Sequence, residues 1–221
     1  MLMNIYFIPG IGADKRIFRN IRVPEGCNAF YLDWIKPLKN ETLQNYSYRL
    51  AENIDTSKAF VVVGLSFGGM LAAEIINRYP LGRMIILSSV ASSGHLPFYY
   101  RIAGKMHMHK LLPISLLKSA SLMKRLFTAE TAEQKAYLKK VIREVDSSFV
   151  RWALNAIIKW RGNAVNSSYI HIHGTRDAVL PIRFCRPTHI IKGGGHLMIL
   201  TKEKEINEIL KQYISNSQHH I

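Results

Sequence analysis

Residues 61–69 read Val-Val-Val-Gly-Leu-Ser-Phe-Gly-Gly, an apolar run, a Gly-x-Ser-x-Gly turn and the start of a helical pattern, with Ser66 at the centre. A serine on so sharp a turn is held in a strained backbone conformation that exposes its hydroxyl for nucleophilic attack. Strand and helix pass so close there that side chains two residues either side would collide, which accounts for Gly64 and Gly68. The same turn sets Ser66 at a helix start, where the N–H of Phe67 and the helix dipole favour negative charge. Such a site suits attack on a carbonyl, whose oxygen becomes an anion. Glycines and serines also fall at this spacing by chance, so the chemistry needs further groups.

Three such groups follow. Residues 8–12, Ile-Pro-Gly-Ile-Gly, supply a glycine-rich turn beginning at Gly10 that can aim the N–H of Ile11 at the same oxyanion. Residues 172–177, Ile-His-Gly-Thr-Arg-Asp, place the Asp177 carboxylate on a loop just beyond a strand. Residues 193–196, Gly-Gly-Gly-His, carry His196 on a loop that three glycines let approach backbone closely. Singly, each has an ordinary reading: a glycine-rich βα loop, an acidic loop residue, a solvated histidine.

Together these segments resemble the α/β-hydrolase family, in which nucleophile, acid and histidine occur in the chain order Ser, Asp or Glu, His. The resemblance spans the chain except for residues 97 to about 160, where that family inserts a lid. It implies Ser66 as nucleophile, His196 as general base and then acid, and Asp177 as the carboxylate that orients His196. Ile11 and Phe67 would supply the oxyanion N–H groups, and no cofactor is required. The chain departs from the family in carrying Pro9 where many members have a histidine. It also begins at what would be the third strand of the family sheet.

Other polar residues compete for a role. His171 and His173 alternate along a strand and share a face, a spacing open to a metal, although only Asp177 stands near as a further ligand. Asp33 is an alternative carboxylate, but it precedes Ser66. Cys185 carries no sign of an activated thiol, and Cys27 and Cys185 read as reduced thiols. Residues 193–195 are no phosphate loop, since no Lys-Ser or Lys-Thr follows. Phe98, Tyr99, Tyr100, Trp152 and Trp160 could line an acyl pocket, but at helical spacing they read first as core.

Positioning these groups calls for a parallel sheet. Apolar runs at 4–8, 29–34, 60–63, 84–88, 169–173 and 188–191 read as strands, alternating with helical patterns at 43–54, 68–79 and 202–214. Residues 97–160 show helical periodicity alone, so the expected architecture is α/β. It has a mostly parallel sheet of about six strands, a core of 1–94 and 161–221, and a helical lid at 95–160. With 221 residues, 48% of them hydrophobic and 20% charged, the chain forms one domain, and disorder and collagen-like classes are excluded. Apolar runs fall short of a membrane span, and the N-terminus lacks a basic leader, which points to a cytoplasmic protein.

Thirty Lys and Arg stand against fifteen Asp and Glu, a net charge of +15. Between His95 and Arg161 thirteen basic residues face four acidic ones. They are scattered and carry no nucleic-acid motif, so nucleic acid is not an expected partner, while a weak attraction to anionic surfaces is. The expected activity is hydrolysis of an ester or thioester of a small to medium apolar substrate. The alternatives are a ligand receptor on the same fold, an amidase or a hydroxynitrile lyase; dehalogenation would want Asp where Ser66 stands.

Overall fold

Residues 60–65, Phe-Val-Val-Val-Gly-Leu, offer no polar side chain to either face, a composition suited to a strand covered on both sides. In the computed structural model, which describes residues 2–105, 136, 140, 144 and 146–218, this run lies in the interior of a six-stranded sheet. Its strands are β1 (Met3–Ile8), β2 (Cys27–Tyr31), β3 (Phe60–Leu65), β4 (Gly82–Leu87), β5 (Ile170–Gly174) and β6 (His189–Ile191). They lie in the order β2-β1-β3-β4-β5-β6, every adjacent pair parallel. The fold is therefore that of an α/β hydrolase, all-parallel where a mostly parallel sheet was expected.

Parallel strands leave all their carboxyl ends on one edge. Here the register aligns them, with Ile8 beside Gly64, Leu65 beside Leu87, Leu87 beside Ile172 and Gly174 beside Ile191. The chain runs from β1 outward to β2 and then returns to add β3 on the opposite side. The edge between β1 and β3 is thus a point where strand order reverses, the usual place for a ligand crevice in open α/β sheets.

Side chains alternate between two cores along the central strands. Tyr6, Ile8, Phe60, Val62, Met84 and Ile86 pack beneath α1 (Leu43–Leu50), α2 (Phe67–Arg78) and a later helix carrying Phe149 and Ala153. Ile5, Phe7, Val61, Val63, Ile85 and Leu87 face Ile17, Phe18 and the C-terminal helices. Burial on this scale, at about 25 cal/mol per Å² of apolar surface, is the main force holding the layers together.

Local chemistry sets the helix ends. Thr42 Oγ1 caps α1 by accepting the Asn45 N–H at 3.1 Å, and Leu43, Tyr46 and Leu50 form its buried stripe. The helix stops at Leu50 instead of reaching residue 54, because Asn53 turns its side-chain amide back onto the Leu50 carbonyl and the chain tightens into a 3-10 turn at Ala51–Asn53. The first half of the lid region contributes α3 (Phe98–Lys105), and the second half α4 (Ser147–Lys159), capped by Asp146. Residues 106–135 and most of 137–145, also expected to be helical, lie outside the described residues. The helix expected over 202–214 is present as α6 (Glu203–Gln218), preceded by a single unforeseen turn, α5 (Met198–Thr201).

Two further expectations are corrected. The second strand ends at Tyr31, not residue 34. Leu32 N–H still bonds the Phe7 carbonyl, but the chain then leaves the sheet and Trp34 packs on Phe67 and Phe149, with ring centroids 5.8 and 4.9 Å away. Among the lid aromatics, Trp160 is buried and Tyr100 and Trp152 are partly so, but Phe98 is 62% exposed. It opens α3, where the Tyr99 and Phe184 rings meet it in edge geometry. Among the described residues, no helix is long and apolar enough to cross a membrane.

Candidate active site

Ser66 sits between β3 and α2 with φ 51° and ψ −116°, a left-handed backbone that a residue with a Cβ rarely adopts. Surrounding hydrogen bonds hold it there. The Ser66 N–H donates to Leu87 O at 2.9 Å, and Ser66 O accepts from Gly69 N–H at 2.9 Å and from the Ser89 hydroxyl at 2.6 Å. A Cβ at Gly64 would lie 2.4 Å from Gly68 O, so β3 does pass against the first turn of α2. Gly68 answers to a different neighbour: a Cβ there would meet Ile8 O at 2.2 Å and Pro9 O at 2.5 Å, backbone at the end of β1. Gly64 and Gly68 thus let the Ser66 turn press against its own helix on one side and the Gly10 loop on the other.

That loop closes as a turn from Gly10 to Ala13, with the Ala13 N–H donating to Gly10 O at 3.0 Å and Gly12 at φ 75° supplying the positive φ. A Cβ at Gly10 would sit 3.3 Å from Ser66 Cβ, so the loop touches the elbow. Ile11 occupies the second turn position, whose N–H takes no part in the turn's own bond. Phe67 opens α2, so no carbonyl of its own helix can accept its N–H. Trp34 braces the loop by donating its indole N–H to Ala13 O at 2.9 Å.

Asp177 and His196 come from loops that interlock through glycine. A Cβ at Gly174 would fall 2.1 Å from Gly194 O, and the Arg176 and Thr175 N–H groups donate to Gly194 O and Ile191 O. This lock brings the two side chains together. His196 Nδ1 donates to Asp177 Oδ2 at 2.8 Å, since a carboxylate can only accept, and His196 Nε2 then accepts from the Ser66 hydroxyl at 2.9 Å. Asp177 and His196 are buried, while Ser66 remains partly exposed.

Asp177 Oδ1 accepts the N–H groups of Val179 and Leu180 at 2.9 and 2.8 Å, and Oδ2 also lies 3.3 Å from His173 Nε2. Burial pushes this carboxyl upward, but the His196 charge and the hydrogen bonds from His173, His196 and Leu180 outweigh it. They hold Asp177 below the ordinary carboxylate range. Asp33 stands exposed beyond β2. His171, His173 and Cys185 bring one ligand atom each within 4.8 Å. Both ring nitrogens of His173 are already engaged, with His171 Nε2 at 3.0 Å and Leu180 O at 2.8 Å, so the group is built as a hydrogen-bonded chain.

The elbow lies under an aromatic roof. Phe149 and Trp152 of α4 meet Phe67 edge to face, with ring centroids 6.4 and 6.0 Å away, and the Trp152 indole N–H donates to Glu41 O. A cleft of about 430 Å³ lined by Trp34, Pro37 and Phe149 and by the charged Asp14, Arg16 and Glu144 borders the Gly10–Ala13 turn. Ser66, Asp177 and His196 line neither this cleft nor a larger cavity of about 600 Å³ between Asn77, Asn155 and Lys159. Sequence reasoning overlooked Trp34, Ser89 and the reach of His173 to Asp177. Only the His-Ile-His alternation left any trace of the last.

A model of the alpha/beta hydrolase family matches residues 5–209. No curated protein matches the sequence. Among solved structures, the chain is similar to an esterase from Exiguobacterium antarcticum, with TM-score 0.73 and 16% identity over 96% of this chain and 92% of that one. A malate-bound thermophilic esterase from Thermogutta terrifontis gives 0.71 and 15% over 97% and 90%, and a bromoperoxidase from Bacillus anthracis 0.70 and 17% over 97% and 92%. At these identities the likeness speaks for the fold.

Proposed function

The chain belongs to the α/β hydrolase family, and from that premise we propose that it is a serine hydrolase cleaving a carboxylic ester or thioester of a small to medium apolar substrate. The observation that carries this reading is the unbroken hydrogen-bond path from Ser66 Oγ through His196 to Asp177. Ser66 Oγ attacks the carbonyl carbon as its proton passes to His196 Nε2, and the Ile11 and Phe67 N–H groups hold the developing oxyanion. His196 then gives that proton to the departing alcohol or thiol. Water, deprotonated by the same nitrogen, attacks the acyl-enzyme and releases the acid. Asp177 keeps Nδ1 protonated and stabilises the imidazolium between the two transfers.

Residues 95–160 serve in this reading as the cover of the site, and the cleft beside Trp34 and Phe149 takes an apolar group of the substrate. The test is hydrolysis of p-nitrophenyl esters of increasing acyl length by wild type and Ser66→Ala. The expected result is turnover by wild type that prefers short to medium chains and falls by about a thousandfold or more in the variant. Equal rates in folded wild type and variant, with no serine adduct from a fluorophosphonate, would sink the reading and favour a ligand receptor on the same fold.

A further inference from the structure

Strand β5 reads Ile-His-Ile-His-Gly in the interior of a sheet otherwise dominated by aliphatic side chains. His171 and His173 are 2% and 0% exposed. Imidazoles persist at such positions when their nitrogens find partners, and these do. His171 Nε2 lies 3.0 Å from His173 Nδ1, and His173 Nε2 lies 2.8 Å from Leu180 O and 3.3 Å from Asp177 Oδ2. A carbonyl oxygen can only accept, so His173 Nε2 must carry a proton, and that hydrogen is directed at Leu180 O with the Asp177 carboxylate 3.3 Å from the nitrogen. Leu180 in turn donates its own N–H to Asp177 Oδ1. His173 therefore grips the acid loop twice, once at the carboxylate and once at the peptide that holds it.

We propose that His173, backed by His171, is a positioning residue for the reaction at Ser66: its Nε2–H fixes the Asp177 carboxylate and the Leu180 peptide that together aim His196. The proposal rests on the serine hydrolase reading above. The groups facing His173 are His171, Asp177 and the Cys185 thiol at 3.7 Å, with His196 across Asp177 and His95 beyond His171. Burial opposes a charge on His173, but Asp177 and Cys185 outweigh it and raise its pKa to about 10; burial and His173 hold His171 well below the ordinary histidine range. In either protonation state, a hydrogen bond to Oδ2 draws charge from the carboxylate, so its loss leaves Asp177 a stronger partner for the His196 imidazolium.

The experiment measures kcat and KM for p-nitrophenyl acetate between pH 5 and 9 for wild type, Ser66→Ala, His173→Leu and His173→Gln, with thermal unfolding of each. Leucine keeps bulk and removes the donor; glutamine returns an N–H near the position of Nε2. His173→Leu is expected to lower kcat about tenfold to a hundredfold with little change in KM and to move the acid limb of the pH profile upward, while His173→Gln recovers most of both. A folded His173→Leu enzyme with wild-type kcat and acid limb overturns the proposal, as do equal losses in both variants. If His173→Leu does not fold, ¹⁵N-histidine NMR of wild type decides: His173 protonated at Nε2 across the active pH range supports the proposal, and a bare Nε2 overturns it. A silent Ser66→Ala beside an unchanged His173→Leu removes this inference alone. A fully active Ser66→Ala removes the serine reading and this inference with it.

Discussion

Asp177 is buried and still accepts three hydrogen bonds, two from backbone amides and one from His196, with His173 Nε2 3.3 Å from Oδ2. Its folded-state pKa lies below the unfolded value of about 3.9, so its contribution to stability is present above that value and is lost as pH falls through the folded one. Asp177→Asn removes this contribution. The stability gap between wild type and Asp177→Asn should thus narrow as pH falls below about 4, as read from urea unfolding at each pH. A gap that persisted unchanged at pH 3 would mean that lost packing, not lost charge, sets the cost. The same variant should lose about 10³- to 10⁴-fold in kcat, because an amide no longer enforces the Nδ1–H tautomer of His196; steady-state ester hydrolysis of the folded variant checks it.

At the scale of elements, glycines decide how closely the site's supports approach. Gly174→Ala should cut kcat at least tenfold, because a Cβ there strikes the Gly194 carbonyl and pushes the Asp177 loop away from the His196 loop. Gly94→Ala is the matching control: its Cβ would meet only Ser92 Oγ at 3.7 Å, so activity and melting temperature should stay near wild type. Parallel loss in both would show that glycine flexibility, not this lock, matters. Much of this scale was legible in the sequence. The apolar runs placed all six strands to within a few residues, and the Gly-x-Ser-x-Gly spacing marked the elbow. What stayed hidden depends on neighbours distant in sequence. Gly68 is small because of Ile8 O, the second strand ends early because Trp34 is drawn onto Phe67, and α1 stops where Asn53 bonds back. His173 showed only that it shared a face with His171; that the face looks onto Asp177 depends on how the following loop folds back.

The whole molecule carries a charge of +15, and the basic excess between His95 and Arg161 surrounds the sequence that contributes Phe149 and Trp152 above the elbow. A field of this sign attracts anions over a distance set by ionic strength, about 10 Å at 0.1 M and about 30 Å at 0.01 M. An ester bearing a carboxylate on its acyl chain should then show a kcat/KM that falls severalfold as salt rises from roughly 0.01 to 0.5 M. A neutral ester of the same length should hold steady, because its encounter gains nothing from the field. Paired salt titrations of the two substrates measure the difference directly, and the chemical step cancels in their ratio. Equal salt responses would place the excess charge away from the mouth of the site, leaving solubility as its physical effect. A selective decline would tie the basic residues of 95–161 to substrate choice, favouring acidic acyl groups over neutral ones.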